Sequence, residues 1–251
     1  MSKTVFITGA SAGFGAACAR HFADHGWRLV LTARRVERLA ALQEELGASA
    51  VHIIALDVRD REAVAAAVAG LPPEFAAVDL LINNAGLALG LKPAHQCSLD
   101  DWETMIDTNI KGLTYCTRAL LPGMVERNRG HIVNIGSVAG SWPYPGGNVY
   151  GGTKAFVAQF SRNLRADLLG TRVRVTNIEP GMAESEFSIV RFTGDSELAA
   201  DVYRGTEPLM PADIAELVYF VNALPERINI NSLEVMATCQ AWGPLAVHRE
   251  K

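Results

Sequence analysis

Apolar positions along this chain fall into two alternating patterns. Short β-branched or aliphatic runs occupy residues 3–8, 27–33, 50–56, 79–82, 131–136, 172–178 and 232–238, and each reads as a buried strand. Between them, apolar positions repeat at helical spacing over residues 16–25, 36–46, 60–70, 99–124, 150–169 and 211–223. Gly26 and Gly47 stop the first two helices, and Pro211 opens the last, where its missing N–H is no loss. Strands and helices alternate along the chain, which predicts a parallel sheet with helices on both faces. The pattern lapses over residues 182–210, apart from a helical stretch at 196–203. A stretch of that length without clear structure is expected to be a lid or binding loop. No linker, repeat or low-complexity tract interrupts the sequence, so residues 1–251 are expected to form one α/β domain with a doubly wound sheet.

Composition narrows the partners. Of 251 residues, 49% are hydrophobic and 20% charged, which is ordinary for a soluble globular domain. A formal net charge of −4 argues against nucleic acid or an anionic membrane as the main partner. Cys18, Cys97, Cys116 and Cys239 show no C-x-x-C spacing, and the six histidines no ligand spacing, so neither a disulfide framework nor a metal site is expected. The chain enters its first strand at once, and no apolar run is long enough to span a bilayer. A cytoplasmic protein is expected.

Candidate chemistry sits where strands end. Gly9-Ala-Ser-Ala-Gly13-Phe-Gly15 joins the first strand to the first helix. A glycine turn there gathers backbone N–H groups at a helix N-terminus, which makes a phosphate site in a Rossmann-type sheet. A tight strand-to-helix turn also favours glycine for its own sake. The spacing is G-x-x-x-G-x-G, not the common G-x-G-x-x-G. NAD sites place an acidic residue about 20 positions past that loop to hold the ribose hydroxyls. Here Arg34 and Arg35 stand in its place. The helix dipole disfavours cations at this end, so an anion is expected beside them, and a 2′-phosphate supplies one. NADP(H) is expected over NAD(H).

Asp57 ends the third strand and either accepts a hydrogen bond from an adenine or caps the helix near Asp60. Asn83-Asn84-Ala85-Gly86 forms a polar turn after the fourth strand. Asn109 lies mid-helix, an unfavourable place for asparagine, where it either faces solvent or serves a purpose. Ser137 follows the fifth strand, and Tyr150 and Lys154, four apart, share one helix face. A phenol titrates near ~10, too high for acid–base work at neutral pH. A lysine one turn away lowers that value by favouring the phenolate. Ser137 is then suited to hydrogen-bond the substrate oxygen that Tyr150 protonates or deprotonates. The alternative for Tyr-x-x-x-Lys alone is a pair of surface residues on an amphipathic helix.

Together, Thr8-Gly9-x-x-x-Gly13-x-Gly15, Asp57, Asn83-Asn84-Ala85-Gly86, Asn109, Ser137, Tyr150-x-x-x-Lys154 and Pro180-Gly181 resemble the short-chain dehydrogenase/reductase family in order and spacing. Residues 83–90, 101–109 and 140–150 are similar to its NADP-dependent 3-hydroxy acid dehydrogenases, the group acting on serine, allo-threonine and malonic semialdehyde. The resemblance implies hydride transfer between NADP(H) and small 3-hydroxy acids or their 3-oxo acids and semialdehydes. It implies Tyr150 as acid–base group, Ser137 as holder of the substrate oxygen, and Lys154 as stabiliser of the phenolate and ligand of the nicotinamide ribose. Asn109 would anchor a water that links Lys154 to solvent. Gly9 to Gly15, with Ser11 and Phe14, would cradle the pyrophosphate, while Arg34 and Arg35 take the 2′-phosphate. Asp57 and Val58 would flank the adenine, Asn84 would lie beside the adenosine ribose, and Pro180, Gly181 and the residues up to Ser188 would cover the nicotinamide. A homotetramer is implied as well.

The likeness is loosest over residues 182–203 and after Ala241, stretches expected to shape the substrate pocket. A 3-hydroxy acid also needs a partner for its carboxylate. Arginine suits that role through its bidentate geometry, and Arg191, within the expected lid, is the candidate. Trp142 and Tyr144 either wall the pocket or pack the loop. Two other readings remain open at this point: a broad NADPH carbonyl reductase acting on ketones or β-keto esters, and a non-catalytic NADP-binding sensor on the same fold.

Overall fold

In the computed structural model, which describes residues 2–242 and 247, seven parallel strands form one sheet. They are β1 (Thr4–Thr8), β2 (Arg28–Ala33), β3 (Val51–Ala55), β4 (Val78–Asn83), β5 (Gly130–Ile135), β6 (Val173–Pro180) and β7 (Ser232–Val235). Their order across the sheet is β3-β2-β1-β4-β5-β6-β7. Helices α1 (Gly13–Asp24), α2 (Val36–Leu46), α3 (Arg61–Ala69), α4 (Pro73–Ala76), α5 (Leu99–Ile106), α6 (Leu113–Glu126) and α7 (Asn148–Asp167) follow in chain order. Then come α8 (Glu186–Arg191), α9 (Ser196–Asp201) and α10 (Pro211–Ala223).

The middles of β1 (Val5, Phe6, Ile7) and β4 (Leu80, Leu81, Ile82) are unbroken apolar runs because both faces of the sheet are covered. On β1, Val5 and Ile7 share one core with Phe22 of α1 and Val218 of α10. Phe6 points the other way, into a core with Leu120 and Met124 of α6 and Leu164 of α7. Each such side chain contributes roughly 1.5–3 kcal/mol through burial. After β3 the chain returns to the other side of β1, so strand order reverses between β1 and β4. A crevice opens at that reversal, beyond the C-terminal ends of the strands.

Polar side chains tie the inner strands to the helix that carries the candidate chemistry. Asn83, Asn134 and Asn177 are register partners across β4, β5 and β6. Asn83 Nδ2 donates to Asn134 Oδ1 at 2.8 Å, and Asn134 Nδ2 donates to Ser161 of α7, also at 2.8 Å.

Three expectations change. The single helix over residues 99–124 is instead α5 and α6 joined by a π-helical turn, Asp107–Gly112. Buried Asn109 lies in that turn, which accounts for an asparagine at mid-helix. The 182–210 segment holds α8 as well as the expected α9, each only six residues long, too short for a period to register. The strand expected to reach residue 238 stops at Val235, and most of the chain after Ala241 lies outside the described residues.

Candidate active site

The crevice begins at the glycine loop. Gly9 turns the chain at φ 67°, a conformation that L side chains rarely adopt. A Cβ on Gly9 would meet Ala85 Cα at 2.9 Å, and one on Gly15 would meet the Gly9 carbonyl at 2.5 Å. Two bare glycines thus let the loop, α1 and the turn after β4 close on one another. Thr8 Oγ1 accepts the N–H groups of Asn84 (3.0 Å) and Ala85 (2.9 Å), and Asn84 Nδ2 donates to Thr8 O (2.8 Å) and Gly9 O (3.1 Å). The ends of β1 and β4 are locked as one unit.

Beyond them lies a cavity of about 350 Å³. Gly9, Ser11, Gly13 and Phe14 line it from the loop, and Arg34, Arg35, Asp57 and Val58 from the ends of β2 and β3. Asn84, Pro180 and Gly181 continue the wall towards Ser137, Tyr150 and Lys154. Gly15 does not line the cavity; its part is close packing behind it. The donor set fits a phosphorylated dinucleotide: backbone N–H groups at the start of α1 for a diphosphate, and Ser11 with the arginines for a further phosphate. Asp57 is held by Arg59, whose Nη2 donates to Asp57 Oδ2 at 2.6 Å, and this hydrogen bond keeps its carboxyl below the usual carboxylate range. The cap of α3 is Asp60, which leaves Asp57 free of that duty.

At the far end, Tyr150 is buried in the third position of α7, next to Ser137. Burial pushes the Tyr150 phenol up to about 12, while its hydrogen bond with Ser137 and the charge of Arg191 pull it down. Arg191 is thus a second cation beside the phenol, one that the i,i+4 spacing of Tyr150 and Lys154 does not disclose. Lys154 Nζ donates to Ile135 O at 2.7 Å and stands 5.8 Å from the Tyr150 ring centroid. Burial pushes its ammonium down to about 8.

Asn109 faces the interior, not solvent. Its Oδ1 accepts Leu87 N–H at 2.9 Å, and its Nδ2 donates to Leu87 O (2.8 Å) and Thr153 Oγ1 (3.0 Å). The amide thereby pins the turn after β4 to α7, with one Oδ1 lone pair left over. Gly86 keeps the space beside that lone pair open, since a Cβ there would stand 3.3 Å from Asn109 Oδ1 and 3.6 Å from Lys154 Nζ.

Arg191 does not line the cavity, but its guanidinium carbon lies 5.3 Å from the Tyr150 ring centroid and 5.1 Å from that of Phe187. Nη2 donates to Tyr144 Oη at 3.0 Å, and Nε is buried with no hydrogen-bond partner among the described residues. Tyr144 is thus the loop residue that joins the site. Trp142 donates its indole N–H to Glu234 Oε2 at 2.9 Å and, like Tyr144 and Arg191, does not line the cofactor cavity. Two charged residues at the cavity's other end escape the sequence reading. Arg38 stands one turn beyond Arg34 and Arg35 and pairs with Glu186 of α8, as does Arg35. The i,i+3 and i,i+4 spacing of Arg38 was a usable signal, whereas nothing local marks Glu186. Among the described residues, no cluster of potential metal ligands occurs, and no helix is long and apolar enough to cross a membrane.

Known proteins share this arrangement. The short chain dehydrogenase profile matches residues 3–194. An NADP-dependent 3-hydroxy acid dehydrogenase of Salmonella typhi is 59% identical over 246 residues, covering 98% of this chain and 99% of its own. Sulfoacetaldehyde reductase 2 of Chromohalobacter salexigens is 56% identical over 252 residues, the full length of both chains. A solved closed form of serine dehydrogenase complexed with NADP+ superposes with a TM-score of 0.95 at 57% identity, covering 98% of this chain and 100% of that one.

Proposed function

The chain belongs to the short-chain dehydrogenase family, and from that premise we propose that it is an NADP-dependent oxidoreductase of small 3-hydroxy acids and their 3-oxo acids or semialdehydes. The observation that carries the substrate class is Arg191, a guanidinium beside the Tyr150 ring whose buried Nε has no partner among the described residues. A buried donor without a partner is costly, and a substrate anion would satisfy it. The relatives' substrates fit that demand: a 3-hydroxy acid and sulfoacetaldehyde each carry an anionic group one carbon from the reacting carbon.

When bound, NADP(H) supplies the hydride chemistry. Gly9, Gly13 and the start of α1 would hold its diphosphate, Ser11, Arg34 and Arg35 its 2′-phosphate, and Asp57, Val58 and Asn84 its adenosine. Pro180 and Gly181 would flank its nicotinamide, and Lys154 the ribose next to it. Tyr150 exchanges the proton of the substrate oxygen, taking it during oxidation and returning it during reduction. Ser137 holds that same oxygen, and its hydrogen bond to Tyr150 already favours the phenolate. Lys154, 5.8 Å from the Tyr150 ring centroid, supplies positive charge as well, and the gap kept by Gly86 between Lys154 and Asn109 suits a water that relays protons.

The protein works as a homotetramer in the cytoplasm. Supporting the assembly, α5 and α7 pack together and leave Leu99, Ile106 and Phe156 exposed. Supporting the compartment, all four cysteines are free. Sedimentation as a monomer would remove the tetramer.

The substrate class is tested by initial rates with NADP and with NAD on L-serine, L-allo-threonine, 3-hydroxypropionate, isethionate and simple secondary alcohols. Turnover of the anionic substrates with NADP is expected. Turnover of neutral alcohols alone would make the protein a general carbonyl reductase.

A further inference from the structure

The Arg191 guanidinium stands on a helix too short to persist by itself. With six residues, α8 falls below the length at which an isolated helix is stable in water, so its place is set by anchors. At its far end, Gly90 N–H donates to Arg191 O at 2.9 Å and ties α8 to the loop after β4. At its near end, the anchor is one phenol oxygen, that of Tyr203, two residues beyond α9. Tyr203 Oη donates to Ala183 O at 2.9 Å. A phenol has one proton, so in its 2.5 Å hydrogen bond with Ser188 Oγ the serine is the donor. The backbone N–H of Ser185 interacts with the same oxygen, and residues 183, 185 and 188 thus converge on one atom. Burial raises the Tyr203 phenol above its ordinary value, against the pull of Ser188 and Ser185, so it keeps its proton at neutral pH.

Ser188 is buried, and Arg191 follows it by three residues, on the same side of α8. Fixing Ser188 therefore fixes the rotation of α8 about its axis, and with it the direction in which the Arg191 side chain leaves. A binding group must be held within about 0.5 Å of its productive place by neighbours that are themselves locked. Neither Tyr203 nor Ser188 lines the cofactor cavity. The two ends of the lid meet without Tyr203: Glu184 N–H donates to Leu209 O at 2.8 Å, and Leu209 N–H donates to Met182 O at 3.0 Å. Loss of the phenol oxygen would thus loosen α8 and leave the lid attached. We propose that Tyr203 is a positioning residue for Arg191, and so sets the preference for anionic over neutral substrates without touching substrate or cofactor. The proposal rests on the reading of Arg191 as the partner of the substrate anion. A neutral substrate has no group for that guanidinium to bind.

The test compares kcat/KM for 3-hydroxypropionate and for its methyl ester, with NADP, in the unaltered protein and four variants. These are Tyr203→Phe, Ser188→Ala, Arg191→Met and the double variant Tyr203→Phe/Arg191→Met. Tyr203→Phe keeps the ring and removes only the oxygen. Its acid-to-ester ratio should fall about two- to tenfold, the range spanned by one ordinary hydrogen bond. Ser188→Ala should lower the ratio in the same direction, and it carries the test if Tyr203→Phe does not fold. The double variant should show the ratio of Arg191→Met alone, because Tyr203 acts through that side chain. Equal losses for acid and ester would assign Tyr203 a merely structural role and overturn the proposal. A double variant whose ratio falls below that of Arg191→Met overturns it too. If Arg191→Met lowers the ratio while Tyr203→Phe and Ser188→Ala leave it unchanged, the anion role of Arg191 stands and only the positioning role falls. If Arg191→Met leaves the ratio unchanged, both readings fall.

Discussion

Replacing Arg191 with methionine separates recognition of a substrate anion from general acid–base chemistry. Arg191 acts in two ways. Its charge helps pull the Tyr150 phenol down from the value that burial imposes, and its Nε, without a partner among the described residues, is available to an anion next to that ring. The first effect touches every substrate, because every substrate needs the same proton transfer. The second touches only substrates that carry a negative group. A charge-assisted hydrogen bond contributes about 1.5–3 kcal/mol, which corresponds to roughly 10- to 150-fold in kcat/KM. Methionine fills similar space against Phe187 and Tyr144 without charge, so the packing of α8 should survive. The assay compares 3-hydroxypropionate with its methyl ester by nicotinamide absorbance, in both the unaltered and the Arg191→Met protein. The acid should lose about 10- to 150-fold more than the ester. Arg191→Lys should recover part of the difference, since it restores charge without the planar fork. Equal losses for acid and ester would refute the anion role and leave Arg191 only its effect on the phenol.

Tyr150→Phe should abolish measurable turnover, a loss of about 10²–10⁴ or more, with NADPH affinity by fluorescence titration within about twofold of the unaltered protein; full activity would sink the mechanism. Gly15→Ala would place a Cβ 2.5 Å from the Gly9 carbonyl, so it should lower stability by about 1–3 kcal/mol and weaken NADPH binding; an unchanged melting temperature would contradict the close-packing role. His131 is buried against Asn222 Oδ1 (3.2 Å) and Thr176 Oγ1 (2.9 Å), and burial pushes it down to about 3. The unfolded chain binds a proton near its ordinary ~6.5 that the folded one refuses. Stability should thus fall as pH drops from about 6.5 to about 3, by on the order of 5 kcal/mol at most, in urea titrations. His131→Gln should flatten that slope, and an identical slope would show that His131 does not titrate as described.

What the sequence could disclose followed from how local each constraint is. Strands β1 and β4 were legible because burial on both faces demands apolar residues through their middles, a rule that acts within five or six residues. Ser137, Tyr150 and Lys154 were legible because proton transfer limits which residue types serve, and a helix limits their spacing. The π-helical turn at Asp107–Gly112 was half legible: an asparagine at mid-helix signalled an exception, but its partner Leu87 lies 22 residues away. Trp142 illustrates the opposite limit. The partner of its indole N–H is Glu234, 92 positions later, and no pattern around residue 142 encodes that. Glu186 is the strongest case, paired with Arg35 and Arg38 across 151 and 148 residues. The electrostatic argument from the arginines was sound as far as it went, since it required an anion. It could not say that the chain provides one of its own, because charge complementarity specifies what stands opposite a cation and not where in the sequence it comes from. Residues whose role is set by a distant partner, such as Glu186 and Trp142, therefore become visible only once the sheet brings the ends of its strands together.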